Sequence, residues 1–85
     1  MPKIKNWSRN QEKEGSRKGS TIETVRYWEH DKKDQKVYIQ KDSSRSGKAK
    51  YQVEVPRTFY QHRNLGRAKT RAINWMKEHP NGREM

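Results

Sequence analysis

Basic, amide and aromatic side chains recur together in three short stretches of this chain: VRYWEH at 25–30, KVYIQK at 36–41 and KYQVEV at 50–55. An arginine can pair with the O6 and N7 atoms of guanine, a glutamine offers the donor and acceptor that adenine's edge requires, and lysines can meet phosphates. Aromatic rings can contact thymine methyl groups or stack on unpaired bases. Together these residue types predict a surface that contacts nucleic acid.

The overall charge supports the same prediction. Lys and Arg number 21 against 10 Asp and Glu, which gives a formal charge of +11 and a pI near 10.2. An excess of this size surrounds a small protein with a positive potential that attracts polyanions. Nucleic acid is therefore the first partner to expect, although surface Lys and Arg also serve solubility.

Composition limits the fold and excludes several kinds of site. The 85 residues suffice for one small domain, and only 27% of them are hydrophobic, so we expect a thin core and a monomer. Without cysteine there is no disulfide, no thiolate zinc site and no thiol nucleophile. No window approaches the length of a membrane span, and the first ten residues lack the apolar run of a secretory signal. These features predict a cytoplasmic protein that does not contact membranes.

The histidines and carboxylates predict neither an enzyme nor a metal or cofactor site. His30, His62 and His79 stand in no metal-ligand spacing. The acidic residues are scattered among twice as many basic ones, where they are expected to serve as ion-pair partners rather than as a catalytic pair.

Strands must position the three stretches described above. Residues 21–30, 36–41 and 50–55 are rich in Val, Ile, Tyr and Thr and are separated by polar loops, which predicts three antiparallel strands joined as a meander. Pro56 breaks the strand pattern, and the segment 56–63 is expected to lead from the sheet into the next element.

A C-terminal helix follows, with Asn64 as its N-cap and residues 79–82 as its stop signal. Its apolar positions recur at helical spacing and are Leu65, Ala68, Ala72, Trp75 and Met76. The predicted fold is therefore α+β, a three-stranded antiparallel sheet packed against one C-terminal helix (βββα). Residues 1–20 are predicted to form a disordered basic arm, residues 21–80 the domain, and residues 81–85 a tail.

Alternation along each strand separates a core side from an outer side. The core side is predicted to carry Val25, Tyr27, Val37, Ile39, Tyr51, Val53 and Val55. The outer side is predicted to carry Trp28 and Tyr38 among polar and basic residues. The candidate nucleic-acid-binding residues are Arg26, Trp28, Tyr38, Gln40, Lys50 and Gln52 on the sheet and Arg67 and Arg71 on the helix.

The favoured function is a small non-enzymatic protein that binds double-stranded DNA, with the sheet face in the major groove and the arm following the phosphates. Two other functions stay open: an adaptor that binds an acidic protein partner through the helix stripe and arm, and RNA binding. A purely structural interpretation also stays open, in which Trp28 and Tyr38 form a cross-strand pair and the helix stripe is a solvated face. Trp75 is expected in the core.

The three short strands and the helix sequence TRAINWMKEHP at 70–80 resemble the N-terminal DNA-binding domains of phage-type integrases and the AP2-type domains of plant transcription factors. Those domains end in a similar Ala-rich, Trp-containing helix and place their sheet in the major groove. The resemblance covers residues 21–80 in pattern, and it implies that the sheet residues among the candidates contact DNA.

The two ends of the chain carry a second resemblance. MPKIKNWSR at 1–9 and WMKEHPNG at 75–82 are similar to the termini of small uncharacterised proteins of halophilic archaea and their viruses. This resemblance implies an archaeal or viral source and supplies no site residues, and those relatives are acidic where this chain is basic.

Overall fold

The computed structural model describes residues 4–83, and in this range an antiparallel sheet packs against one C-terminal helix. The predicted α+β class is therefore confirmed. The strands are β1 (Trp7–Arg9), β2 (Gly15–Ser16), β3 (Ile22–His30), β4 (Lys36–Asp42), β5 (Tyr51–Val55) and β6 (Thr58–His62), and the helix is α1 (Leu65–Glu78).

Over residues 4–83 the sheet contains six strands, so the predicted number of three is wrong. Strands β3 to β6 form a continuous meander, and β1 and β2 both pair with the free edge of β3. The missed strand β6 forms a hairpin with β5, because Pro56 and Arg57 occupy the two turn positions between Val55 and Thr58. Arg57 has φ 72°, a conformation that closes such a turn and that glycine adopts most easily.

The N-terminal segment belongs to the sheet, which corrects the prediction of a disordered arm over residues 1–20. Trp7 is 1% exposed, and its indole Nε1 donates a hydrogen bond to the carbonyl of His79 (3.0 Å). Arg9 binds the carboxylate of Glu14 through two hydrogen bonds of 2.8 Å, and the same carboxylate accepts from the backbone N–H of Tyr27 (3.1 Å). Residues 1–3 of the predicted arm and 84–85 of the predicted tail lie outside the described residues.

The core lies between α1 and one face of the sheet. Four of the five predicted core positions of β4 and β5 are confirmed, since Val37, Ile39, Val53 and Val55 are buried there, whereas Tyr51 is only partly buried at the margin of the core. The helix contributes Ala68, Ala72, Trp75 and Met76, all buried as the helical spacing predicts. Asn64 caps the helix by accepting a hydrogen bond from the N–H of Arg67 (2.9 Å), also as predicted.

Strand β3 presents the opposite faces from those predicted. Trp28 is 6% exposed and pairs with the core residue Val37, whereas Tyr27 lies on the outer face opposite Tyr38. A bulge between Thr24 and Arg26 shifts the register of this strand. The indole of Trp28 is the larger apolar group, whereas the hydroxyl of Tyr27 needs a polar partner or water, so the core takes the tryptophan.

Candidate nucleic-acid interface

The eight candidate residues separate into three groups in the structure. The first group, on the outer face, contains Tyr38, Gln40, Lys50 and Gln52. The second, Arg67 and Arg71, lies in a groove between α1 and β6. The third, Arg26 and Trp28, was predicted on the outer face and does not lie there.

Arg26 and Trp28 share the core side of β3. Trp28 packs in the hydrophobic core, and Arg26 lies opposite Ile39 with its guanidinium donating to the carbonyl of Val25 (2.8 Å). A surface that reads bases from the outer face therefore uses Tyr27 in place of Trp28.

The outer face is ordered as two cross-strand rows. In the first, which we call the aromatic row, Tyr27, Tyr38, Glu54 and Phe59 are paired in register across β3, β4, β5 and β6. In the second, which we call the amide row, Thr24, Gln40, Gln52 and Gln61 are paired across the same strands. Because side chains on one face repeat every two residues, the rows are about 7 Å apart along the strands.

The aromatic row combines a stacked pair of half-buried tyrosines and an exposed phenylalanine with nearby cations. The rings of Tyr27 and Tyr38 are stacked on each other, with an interplanar angle of 16° and centroids 5.8 Å apart. Lys13 Nζ lies 5.7 Å from the Tyr27 ring and Lys36 Nζ 5.8 Å from the Tyr38 ring. The ring of Phe59 is 53% exposed and is therefore accessible to a binding partner.

Burial, together with the neighbouring Glu54 and Tyr27, raises the pKa of the Tyr38 hydroxyl above its ordinary value. The hydroxyl therefore stays protonated through the physiological range and can donate a hydrogen bond. Beside it, the amide of Gln52 donates to the carboxylate of Glu54. The centre of this face consequently offers both donors and acceptors.

The groove between α1 and β6 has a volume of about 470 Å³. Tyr60 and His62 form one wall, and the helix lines the other with Gly66, Arg67, Thr70, Arg71, Asn74, Trp75 and the carboxylate of Glu78. The guanidinium carbon of Arg71 lies 4.6 Å from the centroid of the Tyr60 ring, a cation–π contact that holds the arginine against the strand.

His62 lies among these cations with an unsatisfied ring nitrogen. Its Nε2 is shielded from solvent and has no hydrogen-bond partner among residues 4–83. Burial and the adjacent charges of Arg71 and Arg67 lower the pKa of this imidazole below its ordinary value. An anion in the groove would offer a hydrogen-bond acceptor to this imidazole, and its negative charge would offset the charges of Arg71 and Arg67.

Charge is unevenly distributed along the chain. From Val55 to Glu78 there are six basic residues and a single acidic one, Glu78, which ends α1 and also lines the groove. Three ion pairs are present in the described part of the protein, Arg9–Glu14, Lys13–Glu29 and Arg45–Asp42, and all lie outside β6 and α1. Within residues 4–83 the cations of β6 and α1 thus outnumber the one carboxylate, Glu78, and none of them forms an ion pair.

Sequence reasoning missed five residues of these two surfaces: Tyr27, Phe59, Tyr60, Gln61 and His62. The signal for β6 was present, since TFYQH at 58–62 alternates as a strand does, with Phe59 and Gln61 facing outward and Tyr60 and His62 facing the groove. Pro56 was interpreted as the end of the strand pattern, so the strand that follows it was not predicted.

No family model matches the chain, and no curated protein or solved structure matches it either. Among residues 4–83 there is no helix long and apolar enough to cross a membrane. The same residues contain no group of three or more histidine and carboxylate side chains arranged to hold a metal ion. What the protein binds must therefore be inferred from the chemistry of its own surfaces.

Proposed function

We propose that the protein is a non-enzymatic nucleic-acid-binding domain that holds phosphates in the groove between α1 and β6. The observation that carries this proposal is the charge segregation: six basic residues against one acidic residue, Glu78, from Val55 to the end of α1, with none of the three described ion pairs on this side. Cations without ion-pair partners on a folded scaffold repel one another, so their excess over Glu78 is best explained by an anionic ligand.

The groove provides the groups that phosphate binding requires. Arg67 and Arg71 are one helical turn apart, about 6 Å along the axis, and each guanidinium can bind a phosphate through two parallel hydrogen bonds. The amide of Asn74 adds an uncharged donor at the same wall. These groups recognise the backbone of a nucleic acid and do not by themselves discriminate between sequences.

The proposal is tested by fluorescence anisotropy with a labelled oligonucleotide of about 12 nucleotides, at about 50 and 200 mM salt. The variant Arg67→Ala/Arg71→Ala is expected to bind more weakly and to reduce the slope of log affinity against log salt by about 0.7–0.9 for each phosphate that it no longer neutralises. Both residues are exposed, so the fold should be retained.

The matched control is Arg17→Ala/Lys18→Ala, which removes the same charge from an exposed turn between β2 and β3. If binding depends on net charge alone, the two double variants will lose equal affinity, and the groove assignment is then wrong. If the wild-type protein binds no oligonucleotide at the lower salt concentration, the proposed function itself is wrong.

A further inference from the structure

The outer face of the sheet indicates which form of nucleic acid the protein takes. Resting on the proposed function, we infer that the ligand is single-stranded, with unpaired bases on the aromatic and amide rows and with its backbone continuing around β6 into the groove. The two surfaces are then parts of one binding path.

The two rows match the two chemical parts of a base. The exposed ring of Phe59, and the faces of Tyr27 and Tyr38 that are not turned toward each other, can stack on bases of any sequence, because every base has a π-face. In the row directly beside the rings, Gln40 and Gln61 can each offer a donor and an acceptor group to base edges, whereas the amide of Gln52 already donates to Glu54.

Two acidic residues of this face are ion-paired, and a third, Glu54, keeps its charge and is hydrogen-bonded. Glu29 is paired with Lys13 (3.8 Å), Asp42 is paired with Arg45 (3.3 Å), and Glu54 accepts a hydrogen bond from Gln52. Lys36 and Lys50 border the face beside the rings and amides, respectively, where they can meet phosphates. A backbone can therefore follow the margin of the face while the bases lie over the rows.

Edge strand β6 joins the two surfaces. Phe59 and Gln61 end the aromatic and amide rows on the outer face, and the alternate residues Tyr60 and His62 line the groove on the other side. A backbone that leaves the rows at β6 needs only to turn around this one strand to reach Arg71. A flexible single strand can make that turn, whereas duplex DNA has a persistence length of about 150 base pairs.

The width of the sheet also disfavours a duplex on the outer face. The sheet is five strand positions wide, with β1 and β2 sharing one edge, which gives about 19 Å from edge to edge at about 4.8 Å per strand. The major groove is about 12 Å wide, so a sheet of this width cannot enter it. In a duplex the base faces are stacked inside and are not accessible to the tyrosines.

The test compares single-stranded DNA, single-stranded RNA and a duplex of the same sequence, each of about 12 nucleotides or base pairs, by anisotropy. We expect either single strand to bind at least tenfold more tightly than the duplex. Phe59→Ser, at an exposed position, is expected to weaken single-strand binding by roughly five- to tenfold while leaving the salt dependence unchanged, since the variant keeps every charge.

A second pair of variants separates stacking from bulk. Tyr38→Leu removes the ring and should weaken binding by a similar factor, whereas Tyr38→Phe keeps the ring, loses only the hydroxyl donor and should weaken binding less. Amide chemical shifts of labelled protein should change in β4, β5 and β6 when the single strand is added.

Three results would overturn the inference: duplex binding as tight as single-strand binding, unchanged affinity for Phe59→Ser, or shift changes confined to α1. Any of them, with affinity still dependent on Arg67 and Arg71, would leave the proposed function intact. A wild-type protein that binds none of the three oligonucleotides would remove both.

Discussion

The indole nitrogen of Trp7 donates a hydrogen bond to the carbonyl of His79, 72 positions later in the chain. Three further contacts surround it: Trp7 packs edge-on against His30 (4.9 Å) and Trp75 (5.9 Å), and His30 Nε2 lies 3.0 Å from the carbonyl of Pro80. Two backbone N–H groups of the β3–β4 turn donate to His30 Nδ1, so in this arrangement Nε2 carries the proton and donates to Pro80. The first strand is thereby joined to the end of the helix.

Trp7→Ala is expected to lower the free energy of unfolding by about 3–5 kcal/mol, because it removes a fully buried indole and leaves the His79 carbonyl without its donor. A domain of this size has roughly 4–13 kcal/mol of stability in total, so the variant should be partly unfolded near room temperature. Urea denaturation followed by circular dichroism measures the change, with the exposed Lys5→Ala as the control. A decrease below about 1 kcal/mol would mean that the N-terminal strand contributes little to the fold.

The ionisation of the Glu14 carboxyl should make the free energy of unfolding depend on pH. Its hydrogen bonds with Arg9, followed by the backbone N–H of Tyr27, lower the pKa of its carboxyl. The stabilisation is therefore complete above the ordinary glutamate pKa of about 4.3 and is lost as the pH falls through the lower pKa of the folded state. Glu14→Gln should cost roughly 1 kcal/mol at neutral pH and less in acid. Denaturation midpoints across the acid range measure this, and the exposed Glu12→Gln should leave them unchanged.

The exchange of faces on β3 predicts opposite outcomes for neighbouring residues. Trp28→Ala removes a buried indole and should cost about 3–5 kcal/mol, whereas Tyr27→Ala removes an outer-face ring and should cost about 1 kcal/mol or less. Oligonucleotide affinity should show the opposite order. Tyr27→Ala should weaken binding, whereas a folded Trp28→Phe variant should weaken it less, because only Tyr27 belongs to the aromatic row. Equal destabilisation by both alanine variants would contradict the burial pattern.

Patterns that extend over a whole element were predictable from the sequence. The helix could be predicted from the spacing of Ala68, Ala72 and Met76, and the inward faces of β4 and β5 from simple alternation. In each element several apolar residues at the expected spacing are buried together, so one residue that departs from the spacing does not change the predicted structure.

The remaining features depend on single residues or on distant contacts. A bulge near Val25 interrupts the alternation of β3, so counting alternate positions from Val25 placed Tyr27 instead of Trp28 in the core. Strand β1 is three residues long, so its place in the sheet depends on Trp7 reaching the helix end rather than on any local pattern. The residue types of the candidate surface and its positions on β4 and β5 could be predicted from the sequence. The prediction was incomplete because β6 was not recognised as a strand.

Replacing Arg57 with glycine should change stability and binding in opposite directions. It holds φ 72° in the β5–β6 turn, a left-handed conformation that costs a non-glycine residue about 1–2 kcal/mol. Arg57→Gly should therefore raise the free energy of unfolding by about 1 kcal/mol and weaken oligonucleotide binding, because it removes a cation from the predominantly basic segment that contains β6 and α1. Arg57→Ala should weaken binding to the same extent without the gain in stability. Unchanged affinity in both variants would place Arg57 outside the interface.

His62 should couple binding to pH. In the free protein its pKa is lowered by burial and by Arg71 and Arg67, so the imidazole is neutral near neutral pH. A phosphate in the groove favours the imidazolium and should raise this pKa, and by linkage the affinity should increase as the pH falls from about 8 to about 5. NMR titration of the His62 ring with and without the single-stranded oligonucleotide measures the shift.

His62→Gln is the matched variant, since it keeps a polar side chain and cannot titrate. Its affinity should vary less with pH than that of the wild type, while its salt dependence at about pH 8 should be the same because the imidazole is neutral there. A His62 pKa that the oligonucleotide leaves unchanged would show that no phosphate lies beside the imidazole. The backbone would then have to pass nearer to Arg67, one turn closer to the start of α1.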